Sequence, residues 1–302
     1  MNQDEKYFLS YMEDKEKNKY VKKYNDAIAD AYEIAEAYID AKCSVSPNIQ
    51  VKWNIHDHCY RDRSQKMGNS YVILLYLYTF MELERYLKER NCPQGGINCI
   101  IYHSVVFIYL HEVFHILYGH CSIPVDARID TMTRKRMEYA CDMKALDIMF
   151  SNADIAYAET KSITQFQEQI ALLLASFVVL FKRKEEYQIN EMQENLGTEK
   201  YKTYTDGKRD HPFSTFRFDY LVELIEEHLY AILKDEKEVN RYIEETFDLA
   251  DVYLELYGMG GYFKLNPTSR RNRKEIEKIR NVDFDLINSY CKEIFIDDLK
   301  HV

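Results

Sequence analysis

Residues 98–121 read N-C-I-I-Y-H-S-V-V-F-I-Y-L-H-E-V-F-H-I-L-Y-G-H-C, and the fold is built around this stretch. Drawn as a helix it is apolar on almost every side, so it belongs inside a domain rather than on its surface. Polar residues there are costly: His111, Glu112 and His115 would each forfeit several kcal/mol of hydration without partners. His111 and His115 stand four residues apart and share one face, where two imidazoles can reach a single metal ion. Glu112 lies about 100° further round, near enough to hold a water beside that ion without joining its ligands. His103 sits two turns back, too far to reach the same ion, and reads as a hydrogen-bonded core histidine.

Outward from this helix the chain punctuates itself clearly. N-C-P-Q-G-G at 91–96 breaks it from a preceding helix over Tyr78 to Arg90. Before that, Ile49, Val51, Trp53 and Ile55 alternate with polar residues as in a half-buried strand, and Tyr71 to Leu77 reads as a more buried second strand. From Lys15 to Lys42 apolar residues recur every three or four positions, an amphipathic helix. Beyond Pro124, helices are expected over Thr133–Phe150, Thr160–Tyr187, Phe213–Lys234 and Glu236–Tyr257, with a polar loop at Gln188–Asp210 and a short helix near Asp285–Phe295. The fold class is therefore α+β, predominantly helical, with a small sheet. No repeat or Pro-rich linker divides the sequence, so 1–302 reads as one domain. Its catalytic core spans 45–220, with the N-terminal helix (1–44) and a C-terminal helical region (221–302) packing on it.

Composition narrows the function. Of 302 residues 46% are hydrophobic and 30% charged, which excludes a broadly disordered chain. A net charge of −10 argues against a nucleic-acid partner, whose phosphates demand clustered Lys and Arg, and the Arg270, Arg271, Arg273, Lys274 run reads as solvated surface. Seven scattered cysteines without a C-x-x-C pair do not form a disulfide framework. The acidic, polar first residues lack a secretory pattern, and the apolar stretches are too short for integral membrane segments. A cytoplasmic protein is expected.

A catalytic zinc site takes three protein ligands and leaves a position open. The metzincin arrangement is excluded, because Tyr118 and Cys121 occupy the places of its Gly and third His. The next helix offers E-Y-A-C-D, where Glu138 and Asp142 share a face at i and i+4: Glu138 can bind the metal while Asp142 accepts the ring N–H of a ligand histidine.

The ordered set H-E-V-F-H-I-L-Y-G-H, E-Y-A-C-D-M-K-A and H-P-F-S-T-F-R resembles the catalytic core of gluzincin metallopeptidases of the CAAX-protease and heat-shock membrane peptidase type, over residues 98 to 220. The resemblance implies Zn2+ held by His111, His115 and Glu138, with Asp142 and His120 behind the ligands and His211 and Arg217 on the transition-state side of the cleft. Two departures stand out: the family's membrane helices are missing, and Cys141 replaces the usual Ala, where it reads as filling space. A soluble peptidase of this size also resembles the Lit-type phage-exclusion peptidases, which cut a translation factor.

The expectation is thus a soluble zinc-dependent endopeptidase acting on a protein or peptide substrate, with Glu112 as general base. The sheet near Ile49 to Leu77 offers an edge strand to an extended substrate. Two alternatives remain: a zinc-stabilised binding or regulatory protein, its sphere closed by Cys141 or His211, and a latent protease covered by the 188–210 loop. His56 and His58 read as a polar turn, Tyr118 and Tyr139 as possible oxyanion donors, and no pattern surrounds His228 or His301.

Overall fold

Helix α1 (Lys15–Lys42) forms over the range its periodicity predicts, because its apolar stripe finds partners. Val21, Tyr24, Ala27, Ala31, Ala35 and Ile39 are all buried. In the computed structural model, which describes residues 15–55, 62–124, 127–196, 214–262 and 277–297, the chain forms two compact units. The first comprises 1–86, 101–129 and 283–302, the second 87–100 and 130–282.

In the first unit, β1 (Ile49–Asn54), β2 (Arg63–Met67) and β3 (Ser70–Tyr76) make a mixed sheet in the order β1-β3-β2. β1 runs parallel to β3 in the register Ile49↔Tyr71 to Asn54↔Tyr76, and β2 pairs antiparallel to it from Arg63↔Leu74 to Met67↔Ser70. The β2–β3 turn is tight, and Gly68 takes the left-handed φ of 62° that it requires. β3 is central and reads S-Y-V-I-L-L-Y, with Ile73 and Leu75 fully buried. β2 has no counterpart in the sequence reading, since R-S-Q-K-M lacks apolar alternation; it is a polar edge strand held by its backbone ladder.

Helix α2 (Leu77–Glu89) follows β3 directly. Tyr24, Trp53 and Phe80 pack ring against ring at 5.8–6.2 Å, and Glu84 accepts from Tyr24 Oη and Lys23 Nζ, each at 2.8 Å, so α1, the sheet and α2 share one apolar centre. Helix α3 (Gln94–Leu117) begins four residues before the predicted start, and its C-terminal end precedes the predicted one. Gly119, with φ 78°, ends it, and a one-turn 3-10 helix (His120–Ser122) takes over.

The second unit holds α4 (Thr131–Thr160), α5 (Ile163–Leu196), α6 (Ser214–Leu233) and α7 (Glu236–Leu256). α5 packs on α4, α6 and α7, around Phe150, Phe166, Ile170, Leu174, Phe177 and Leu229, all at most 1% exposed. The loop expected at Gln188–Asp210 is corrected in part: residues to Leu196 continue α5, because Glu, Gln, Met and Leu sustain a helix once it is nucleated. Its remainder lies outside the described residues. α8 (Phe284–Tyr290), again in the first unit, is shorter than the predicted Asp285–Phe295 helix, because from Cys291 the chain turns extended and Ile296 bridges Cys43.

Among the described residues two helical stretches are apolar and long enough to cross a membrane by length and composition, Gln94–Leu117 and Ile163–Glu186, but 83% and 67% of their most apolar windows are buried within the protein. They are internal elements.

Candidate metal-binding active site

The local sequence explains how the histidines converge. α3 places His111 and His115 one turn apart, both imidazoles on the same face, with ring centroids 4.7 Å apart. Their Nε2 atoms are 3.1 Å from one another. Beyond the helix, Gly119 reverses the chain so that His120 comes back over the last turn and its Nδ1 lies 2.9 Å from Nδ1 of His115. His111, Glu112 and His120 are 8%, 5% and 8% exposed and His115 is half-buried, so this polar group lies largely out of water against Phe107 and Tyr118.

The geometry fits a tetrahedral cation. Two nitrogens each about 2.0–2.1 Å from one zinc ion in tetrahedral arrangement lie about 3.3 Å apart, close to the separation of the two Nε2 atoms. The Nδ1···Nδ1 contact between His115 and His120 shares one proton. With that proton on His115, its Nε2 is a lone pair facing His111. With both Nε2 atoms unprotonated, two lone pairs face one another across this distance, and a shared cation would satisfy both. His111 and His115 therefore belong to a candidate metal site, with the His120 ring against the far nitrogen of His115.

The 3-10 turn fastens this group to the sheet edge. Cys121 Sγ lies 3.3 Å from Ser64 Oγ of β2. Burial pushes the Cys121 thiol up to about 12, the Ser64 hydrogen bond opposes the shift, and the charge of Glu112 adds to it, which places Glu112 and the β2 edge in one electrostatic neighbourhood. His103 is held neutral by burial, with its pKa pushed down to about 4.

In the second unit α4 begins at a defined cap: the Asp130 side chain accepts from Met132 N, Thr133 N and Thr133 Oγ1 at 2.8–3.0 Å, which holds its carboxyl below the usual range. About two and three turns on, Glu138, Cys141 and Asp142 follow at i, i+3 and i+4, so they line one face. Cys141 and Asp142 are buried and Glu138 is half-buried. Tyr139 turns elsewhere: its hydroxyl accepts from Arg280 Nε at 2.9 Å and its ring packs on Ile279.

Residues 9–193 match the Peptidase U49 family, the Lit-type peptidases. The chain belongs to the Peptidase U49 family. Membership assigns it to the peptidases, hydrolases whose substrates are proteins or peptides. The U49 match includes both H-E-V-F-H and E-Y-A-C-D and ends before His211 and the C-terminal segment. Neither the curated proteins nor the solved structures contain a match to the chain.

His211, His56, His58 and His301 lie outside the described residues, and Arg217 is placed only as a residue of α6. The sequence reading missed Ser64 and Ser122, which tie the histidine turn to its surroundings. Neither carried a signal, since a lone serine in a polar stretch has no pattern.

Proposed function

We propose that the chain is a zinc-dependent endopeptidase of the gluzincin type, acting in the reducing cytoplasm. The observation that carries the reading is the convergence of His111 and His115 Nε2 at 3.1 Å on a buried helix face, with Glu112 beside them. Zinc would be held by His111, His115 and Glu138, and when bound it supplies Lewis-acid chemistry, lowering the pKa of a water and polarising the scissile carbonyl. Asp142 and His120 orient ligand imidazoles by hydrogen bonding to the ring nitrogen turned away from the ion.

Glu112, adjacent to the ligands but not among them, takes the proton of the attacking water and delivers it to the leaving amine. Its burial favours this role, because a carboxylate shielded from bulk water keeps the proton for the reaction. His211 donates to the developing oxyanion, and Arg217 orients that segment or binds substrate carbonyls. β2, an edge strand tied to the histidine turn through Ser64, offers unpaired backbone groups to an extended substrate.

The test compares Glu112→Gln with His111→Ala on a protein substrate. Glu112→Gln should keep zinc and lose most turnover, whereas His111→Ala should lose both. Undiminished cleavage by Glu112→Gln contradicts the reading.

A further inference from the structure

The C-terminal segment 291–297 lies beyond the residues matched to the family and takes no part in the chemistry above, yet it is fastened to the turn that carries His120. The backbone N–H groups of Lys292 and Glu293 both donate to Ser122 Oγ, at 2.8 and 3.0 Å. The Ser122 hydroxyl donates in turn to the carbonyl of Gly119 at 2.6 Å, so its one proton and both lone pairs are used. Phe295 N–H donates to the carbonyl of Leu117 at 3.0 Å, capping one of the unpaired carbonyls at the end of α3. The approach is so close that a Cβ on Gly119 would run into the carbonyl of Glu293.

The other side of the segment is anchored as firmly. The Glu293 carboxylate accepts from Lys66 Nζ of β2 and Tyr71 Oη of β3, and these bonds hold it below the usual carboxylate range. The rings of Tyr71 and Phe295 meet edge to face at 5.5 Å, Ile296 bridges Cys43, and Ser44 Oγ donates to Asp297 at 2.9 Å. A strap thus runs from the sheet and the end of α1 across residues 117–122. His120 sits within the strapped turn, between Gly119 and Ser122, with Nδ1 against His115.

We infer that Ser122 is a positioning residue of the metal centre: by fastening the strap across the turn it holds the His120 ring against Nδ1 of His115, and so fixes the His115 imidazole with its Nε2 toward His111. This rests on the zinc reading above, and it adds a C-terminal element outside the family match to the machinery of the site. On this inference the Ser122 bonds of the strap reach the metal site through His120. Their effect on zinc must therefore vanish when His120 is gone, which a merely structural contribution to the fold would not do.

The experiment measures zinc affinity of the full chain by competition with a chromophoric chelator, with the thermal midpoint of the metal-free protein as a check on folding. His120→Ala should weaken zinc by about 10–100-fold, the range for losing the partner of a ligand histidine, and Ser122→Ala by about 10-fold. In the His120→Ala background Ser122→Ala should change affinity by less than about twofold. Glu293→Gln, which loosens the strap from its far side, should show the same dependence on His120 and serves in place of Ser122→Ala if that variant does not fold. Unchanged affinity in the single variants, or the same loss with and without His120, overturns the inference. If the wild-type chain takes up no zinc, the parent reading and this one fail together. If it binds zinc and loses it on His111→Ala but is indifferent to Ser122→Ala and Glu293→Gln, this inference alone fails.

Discussion

His228 sits between two carboxylates, and replacing it by Gln should destabilise the second unit in a pH-dependent way. Its Nδ1 is 2.6 Å from Asp154 Oδ2 and its Nε2 3.3 Å from Asp147 Oδ1, and both aspartates belong to α4, which also carries Glu138 and Asp142. Burial opposes the charge on the ring, but the hydrogen bonds to Asp147 and Asp154 outweigh it and push the pKa up to about 9 from 6.5. At about 1.4 kcal/mol per pH unit this corresponds to about 3–4 kcal/mol. The aspartate side chains are 34% and 37% exposed, so water screens them and the net contribution is about 1–2 kcal/mol. The folded pKa lies above the unfolded one, so this stabilisation is complete below about pH 6.5 and disappears as pH rises through about 9. Asp147, drawn down to about 2 chiefly by its bond to His228, sets the acid side, where stability is lost as pH falls from about 3.8 through about 2. Urea unfolding of wild type and His228→Gln at pH 6 and pH 9.5 checks this. The difference should be about 1–2 kcal/mol at pH 6 and shrink markedly at pH 9.5. An equal difference at both values, or none at pH 6, refutes the reasoning.

Gly119→Ala should destabilise the first unit by about 2 kcal/mol or more in denaturant unfolding, because φ 78° strains an alanine and its Cβ meets the Glu293 carbonyl. A change below 0.5 kcal/mol would mean that the strap does not press on the turn. Cys121, with its thiol pushed up to about 12, should react with iodoacetamide far more slowly at pH 8 than an exposed thiol, as mass spectrometry of the labelled chain can read. His211→Phe and Arg217→Ala should each lower kcat by about 10²–10³ with zinc content unchanged, and loss of zinc on His211→Phe would make that residue a ligand instead.

The elements with strong periodicity were legible in the sequence. α1 repeats its apolar stripe over about five turns, from Val21 to Ile39, and matches its predicted range, and the alternation in 49–55 and the apolar run from Tyr71 give β1 and β3 within a residue. β2 was not, because an edge strand such as R-S-Q-K-M is held by backbone hydrogen bonds that leave no mark on side-chain pattern. The histidine pair was legible because four-residue spacing on a buried helix has a direct geometric meaning. Gly119 illustrates what the sequence under-determines: a glycine after a helix announces a cap, but nothing local says that Glu293, more than 170 residues later, presses against it. His228 likewise had no pattern around it, since its partners lie on another helix, 74 and 81 residues away in the chain.

The most direct test of the central claim is the metal content of the full-length chain, purified without chelators, measured by inductively coupled plasma mass spectrometry beside His111→Ala and Glu138→Gln. The account predicts about one zinc per wild-type chain, almost none in His111→Ala and sharply reduced occupancy in Glu138→Gln. Wild-type protein without stoichiometric metal would contradict it, and full occupancy in Glu138→Gln would remove Glu138 from the ligand set.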